Sequence, residues 1–249
     1  MSEFAVEPAY YLRYLREVEG LSASETRLPP RLVLVFGSED LRTTKRMLHA
    51  RFLRWNDQMA VGKAGARRVA VVRTHIGAPA ACVVLEELIA LGVREVIAFG
   101  ACGSLVRSLP IGSLILPTRA YVDEGASRHY GGERWQLPHR GLVTALRRAS
   151  RRRGLEVAEG GTWTTDAPYR ERWTRARALA RQGVVSVEME ASALYAVART
   201  RKVRCASLFV VSDELSGDEW NAGFRNPAYR AAKRKALRAV LDVMAGRSS

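Results

Sequence analysis

Short apolar runs alternate with helix-patterned stretches along most of this chain. That order commits it to an α/β architecture with a largely central sheet. The runs at 32–36, 69–73, 95–99, 113–116, 184–187 and 206–211 read as strands. Between them, residues 78–91 place Val83, Val84, Leu85, Leu88, Ile89 and Leu91 on one broad apolar stripe. Pro79 stands just inside the start, where its missing N–H costs nothing, and Gly92 stands just past the end. Residues 140–153, 189–200 and 227–245 read as further helices. No linker, repeat or low-complexity tract interrupts the pattern, so residues 1–249 read as a single domain, with 1–30 as a helical N-terminal extension.

With 47% apolar and 26% charged residues, the composition excludes a disordered, collagen-like or disulfide-dense chain. The length suffices to bury a sizeable core. No apolar run reaches the roughly 18 residues of a membrane span, so no membrane partner is expected. The chain opens with Glu3 and Glu7 and lacks a basic region ahead of an apolar stretch, so no signal peptide is expected. Cys82, Cys102 and Cys205 are odd in number and far apart, which fits reduced thiols in a cytoplasmic protein rather than disulfides or metal ligands.

The net charge of +15, carried by 35 Arg and 5 Lys against 25 acids, raises the question of a polyanion partner. The arginines are spread along the whole chain, with modest clusters at 147–153 and 225–238 in helix-patterned stretches. Zinc-finger spacing, an RNA-binding aromatic signature and a basic tail are all missing, so nucleic acid is not the expected partner. A solvated, arginine-rich surface is the plainer reading.

Three places combine tight turns with polar residues at strand ends, where open α/β sheets bind ligands. The first, Val35-Phe36-Gly37-Ser38-Glu39-Asp40-Leu41-Arg42, runs from a strand into a helix start. It reads equally as an anion site or as an acidic cap with a surface arginine. The second, Phe99-Gly100-Ala101-Cys102-Gly103-Ser104, reads as a small-residue turn after a buried strand. It is either a simple turn or a place where a ligand nears the backbone. The third is Val187-Glu188-Met189-Glu190, followed later by Val211-Ser212-Asp213. Carboxylates directly after apolar strands are costly unless they bind something, such as vicinal hydroxyls. Asp213 is placed like a general acid. A carboxylate pair capping a helix is the alternative.

Taken in order, these segments resemble the nucleoside phosphorylase family, which includes purine nucleoside phosphorylases, uridine phosphorylases and related nucleosidases. The similarity spans about 31–245 and is strongest at 74–93, 99–117, 187–198 and 211–213. The resemblance implies a three-layer α/β/α sandwich around a mixed sheet, assembled as dimers or as hexamers built from three dimers. It implies cleavage of a nucleoside N-glycosidic bond through an oxocarbenium-like transition state, with inorganic phosphate as co-substrate and neither cofactor nor metal.

By the same resemblance Glu188, Met189 and Glu190 line the ribose, Glu190 holding its 2′- and 3′-hydroxyls. Asp213 protonates or hydrogen-bonds purine N7, and Arg225 assists it. Tyr169 is the candidate for stacking on the base, with Trp163 a second; Gly103 and Ser212 border the base. Phosphate is expected at Gly37, Arg42, Gly100 and Ala101, with Arg51 or Arg54 reaching a neighbouring subunit's site. The purine aspartate, and the lack of a uracil clamp near 166–172, imply purine preference.

The chain departs from the family in its anion site. Phosphorylases usually carry an arginine where this chain has Ala98 and a hydroxyl where it has Ala101. Losing each is worth roughly 1–3 kcal/mol of anion binding. The N-terminal histidine of many relatives is also missing, leaving His75 and His129 as alternatives that fit packing or surface roles better. Phosphorolysis is the expected chemistry; hydrolysis, with Glu39 or Glu188 as base, is the alternative, and a non-catalytic nucleotide-binding protein is a third.

Overall fold

The computed structural model describes residues 4–131 and 133–247. In chain order the elements are α1 (Pro8–Glu17), β1 (Arg31–Val35), α2 (Ser38–Met47), β2 (Arg51–Leu53), β3 (Asn56–Ala64), β4 (Arg67–Arg73), α3 (Ala78–Ala90), β5 (Glu95–Ser104) and β6 (Leu114–Asp123). There follow β7 (Trp135–Gln136), α4 (Arg140–Arg152), β8 (Val157–Thr165), α5 (Trp173–Ala180), β9 (Val184–Glu188), α6 (Ala191–Thr200), β10 (Arg204–Glu214), β11 (Asn221–Ala222) and α7 (Pro227–Met244).

The strands form one mixed sheet in the order β11-β10-β6-β8-β9-β5-β1-β4-β3-β2, with β7 on β6. Because β10 also pairs with β5, strands β5, β10, β6, β8 and β9 close into a ring. Strands β1 to β4 extend from that ring as an open sheet. Closure removes edges that would otherwise need covering.

Alternation along the strands splits the core into two faces. Leu32, Leu34, Ala98, Phe209 and Val211 pack with α1, α3 and α6. Val33, Val35, Ile97, Phe99, Leu208 and Val210 pack with α2, α4 and α7. This is the expected α/β/α layering around a mixed sheet. A smaller cluster of Leu105, Tyr121, Trp163, Leu179 and Val187 lies under α5.

Several features differ from the sequence expectation. Strand β5 continues through Gly100 and Gly103 to Ser104, so those glycines are strand residues rather than a turn. The continuation is held by parallel pairing to β10. Strand β8 went unread because its Glu-Gly-Gly-Thr segment lacks an apolar run, and β2 and β3 because much of their surface is not buried. Among the described residues of the N-terminal extension, Pro8–Glu17 alone is α-helical; beyond it Leu21 and Leu28 are buried, and the Leu28 N–H donates to the Leu91 carbonyl at 2.8 Å. Finally, β10 carries a bulge: Val211 pairs with Cys102 and Asp213 with Gly103, leaving Ser212 unopposed.

Candidate active site

Gly103 joins the pieces. Its neighbour across β9 is Val187 and its neighbour across β10 is Asp213, so one row over three strands unites two segments far apart in sequence. A Cβ at Gly103 would lie 2.6 Å from Leu215 Cδ1, 3.0 Å from Val187 Cγ1 and 3.1 Å from Asp213 Oδ2. Only a residue without a side chain lets the aspartate lie against the strand there.

Glu188 ends β9 and is buried. Its Oε1 accepts the Thr164 hydroxyl at 2.6 Å, and its Oε2 accepts the backbone N–H groups of Glu190 at 2.8 Å and Ala191 at 2.7 Å. Those amides open α6, so Glu188 caps the helix from just outside it. Burial pushes its carboxyl above the usual carboxylate range, against the pull of these donors.

Glu190 is equally buried but less well supplied. The Gly77 N–H donates to its Oε1 at 2.6 Å, and the Met189 amide also favours its charge. Burial first, and the neighbouring Glu188 charge second, raise its pKa. Gly77 has φ 109°, a conformation that suits glycine, and this turns its amide toward the carboxylate at the start of α3.

Asp213 is half-buried. The Ser212 hydroxyl lies 2.6 Å from its Oδ1, and the Trp220 indole N–H donates to its Oδ2 at 2.9 Å. Trp220 is 56% exposed and stands beside Phe224, so an aromatic loop folds over the aspartate. Glu171 is also near: burial first, and the Asp213 charge second, raise its carboxyl to about 7.

The opposite flank is apolar. Ala98 is fully buried, Ala101 is half-buried and packs on the α2–α7 side, and the Phe36 ring lies beside Gly100, 2.7 Å from where a Cβ would stand. A Cβ on Gly37 would lie 3.1 Å from Asp40 Oδ2.

The family model described as "Phosphorylase superfamily" matches residues 53–245. The chain belongs to the phosphorylase superfamily. It is 29% identical to a Bacillus cytotoxicus protein named purine nucleoside phosphorylase DeoD-type, over 71% of this chain and 77% of that one. A Bacillus cereus protein of the same name is 30% identical over the same shares. Among solved structures, purine nucleoside phosphorylase from Toxoplasma gondii in complex with immucillin-H superposes with a TM-score of 0.80 at 18% identity, covering 92% of this chain and 94% of that one. Uridine phosphorylase from Vibrio fischeri gives 0.79 at 20% identity, covering 89% and 94%. These last two establish the shared fold.

Within this superfamily fold, the residues named from sequence separate into groups. Glu188, Glu190, Gly103, Ser212 and Asp213 are brought together by the β9–β5–β10 row. Met189 sits between the two glutamates. Tyr169 is 96% exposed on a short 3-10 helix, Pro168–Arg170, and is free to stack. Trp163 is not: it is 2% exposed within the α5 cluster, and its indole donates to Asp123 at 3.0 Å. Its position in β8 directs the ring into the core.

Arg225 is exposed, and the loop residue that reaches Asp213 is Trp220. Arg42 is exposed on α2 and lines a cleft against α7 whose base includes Phe99. Arg54 is exposed and paired with Glu25 at 2.8 Å. His75 and His129 are exposed. Sequence reasoning missed Gly77, Glu171 and Trp220. A backbone amide leaves no side-chain signature, and the other two reach the site only through loop folding. No helix among the described residues is long and apolar enough to cross a membrane.

Proposed function

We propose that the chain cleaves the N-glycosidic bond of a purine nucleoside by phosphorolysis, releasing free base and (deoxy)ribose 1-phosphate. The observation that carries this reading is the Val187–Gly103–Asp213 row, which sets a buried, sparsely hydrogen-bonded Glu190 and a donor-held Asp213 at one end of the sheet. Glu190 accepts hydrogen bonds from the ribose 2′- and 3′-hydroxyls, supplementing the Gly77 amide. Tyr169 covers the base. Asp213 supplies a proton to N7 as the C1′–N9 bond breaks and its electron pair moves into the purine; a phosphate oxygen then bonds C1′. The DeoD-type names of the relatives support the purine assignment.

Ala98, Ala101 and the Phe36 ring favour a second reading, in which water replaces phosphate. One experiment separates the two: release of base from inosine, guanosine, adenosine and uridine, measured with and without phosphate. Purine release that needs phosphate is the expected result. Equal rates in phosphate-free buffer would assign hydrolysis, and uridine cleavage without purine cleavage would overturn the base assignment.

A further inference from the structure

We propose that the cleft between α2 and α7 is a second anion site, one that takes a small oligophosphate of two or three phosphoryl groups. The cleft lies on the Phe99 face of the sheet; of its four arginines only Arg42 is also expected at the reaction's phosphate subsite, and the other three carry the test. The cleft has a volume of about 450 Å³. Arg42 and Arg46, four apart on α2, face Arg230 and Arg234, four apart on α7, so helical spacing aims both pairs into one space. Like charges so arranged repel one another.

Some arginines elsewhere have acid partners: Arg31 and Arg204 share Glu95, Arg201 has Glu86, Arg153 has Asp242 and Arg147 has Glu159. In the cleft no ion pair or hydrogen bond ties up any of the four guanidiniums among the described residues. The lining acids are Asp40 and Glu39. Asp40 is committed to Lys233, 2.5 Å away, and the lysine is further held over the Tyr229 ring at 5.1 Å. That leaves four arginines against Glu39, a surplus of three positive charges on a rigid base of Phe99 and Leu237.

A di- or triphosphate chain matches that surplus, can accept forked hydrogen bonds from several guanidiniums at once, and fits a cleft of this volume. A single orthophosphate carries less charge and fewer acceptor oxygens than four guanidiniums can engage. A nucleic-acid backbone would need the charges strung along an open groove rather than converging.

Calorimetric titration of the whole chain at physiological salt tests the site, with sodium tripolyphosphate, orthophosphate and ATP as probes. Tripolyphosphate should bind saturably, one per chain, and more tightly than orthophosphate. The combined variant Arg46→Ala, Arg230→Ala, Arg234→Ala should bind it at least about 30-fold more weakly. A control variant, Arg148→Gln with Arg151→Gln on α4, should bind like the wild type, which separates this site from general charge. ATP binding equal to tripolyphosphate identifies the phosphate chain alone as the ligand, and tighter ATP binding identifies a nucleotide. Three results would overturn the proposal: no saturable binding by the wild type, equal binding by the folded triple variant, or preference for orthophosphate. Tighter, steeply salt-dependent binding of a DNA duplex through the same arginines would also overturn it. Circular dichroism of the variants establishes that they are folded.

Discussion

The two flanks of the candidate site are built from opposite materials. Along β9, β10 and α6 the chain sets three carboxylates, Glu188, Glu190 and Asp213, each held by donors from its own backbone or side chains. Along the β1–β5 flank it sets Ala98, Ala101 and the Phe36 ring. The first flank is costly, because burying the Glu188 and Glu190 carboxyls costs stability that their hydrogen bonds only partly offset. The second is ordinary packing. On the proposed function, that difference means the sugar and the leaving base are held more fully than the nucleophile near Gly100.

The largest expected effect breaks the first flank at its acid. Asp213→Asn should lower kcat/KM for purine nucleosides by about 10²–10⁴-fold, read by base release, because the leaving base loses its proton donor. An unchanged value would remove Asp213 from the chemistry. Next, Glu190→Gln should lower kcat/KM by about 10–100-fold, since a carboxyl with two oxygens toward the ribose hydroxyls becomes an amide with a single acceptor oxygen. A nucleoside lacking the 2′- and 3′-hydroxyls should then show little difference between variant and wild type.

Glu188→Gln sharpens the contrast inside that flank. Its Oε2 is committed to the α6 amides, so the expected loss is stability, about 1–3 kcal/mol by denaturant unfolding, with a smaller kinetic effect than at Glu190. Both glutamates also imply a pH effect. Their folded-state pKa values are raised by burial, so the stability contributed by the neutral carboxyls is complete below the ordinary carboxylate value and is lost as pH rises through the raised one. Unfolding free energy of the wild type should therefore fall between about pH 5 and 8, and Glu190→Gln should flatten that fall.

The smallest expected effect probes the apolar flank. Combining Phe36→Ala with Ala101→Ser opens space beside Gly100 and restores a hydroxyl. It should lower the KM for phosphate by about 3–10-fold without a matching gain for the nucleoside. A rate that remains indifferent to phosphate would place the nucleophile's site elsewhere.

Much of this was legible in the amino-acid order. The runs Leu32–Phe36 and Glu95–Phe99 read as strands and are found as β1 and β5, and the glutamate–methionine–glutamate segment with its later aspartate carried the family likeness. What stayed hidden has physical causes. Strand β8 is made of Gly and Thr residues that belong to the sheet through their neighbours rather than their own hydrophobicity. Gly100 and Gly103 look like a turn by composition, and only pairing with β10 makes them strand. Trp163 and Tyr169 are both aromatic and six apart, yet strand alternation buries one and a short helix exposes the other. Trp220 reaches Asp213 across a loop whose path no periodicity encodes.

The bulge at Ser212 sets the most regular version of this sheet against the most useful one. Deleting that single residue would let β10 zip onto β5 without a break, and by ladder pairing alone the protein would gain. The aspartate would keep its place opposite Gly103, since the residue removed is the one without a partner on β5. Lost instead would be the hydroxyl 2.6 Å from Asp213 Oδ1 and the Ser212 carbonyl, which accepts the Gly223 N–H at 2.8 Å. The irregularity thus acts as a mooring: one rung given up by the ladder ties the aromatic loop of Trp220 and Phe224 to the strand beneath it.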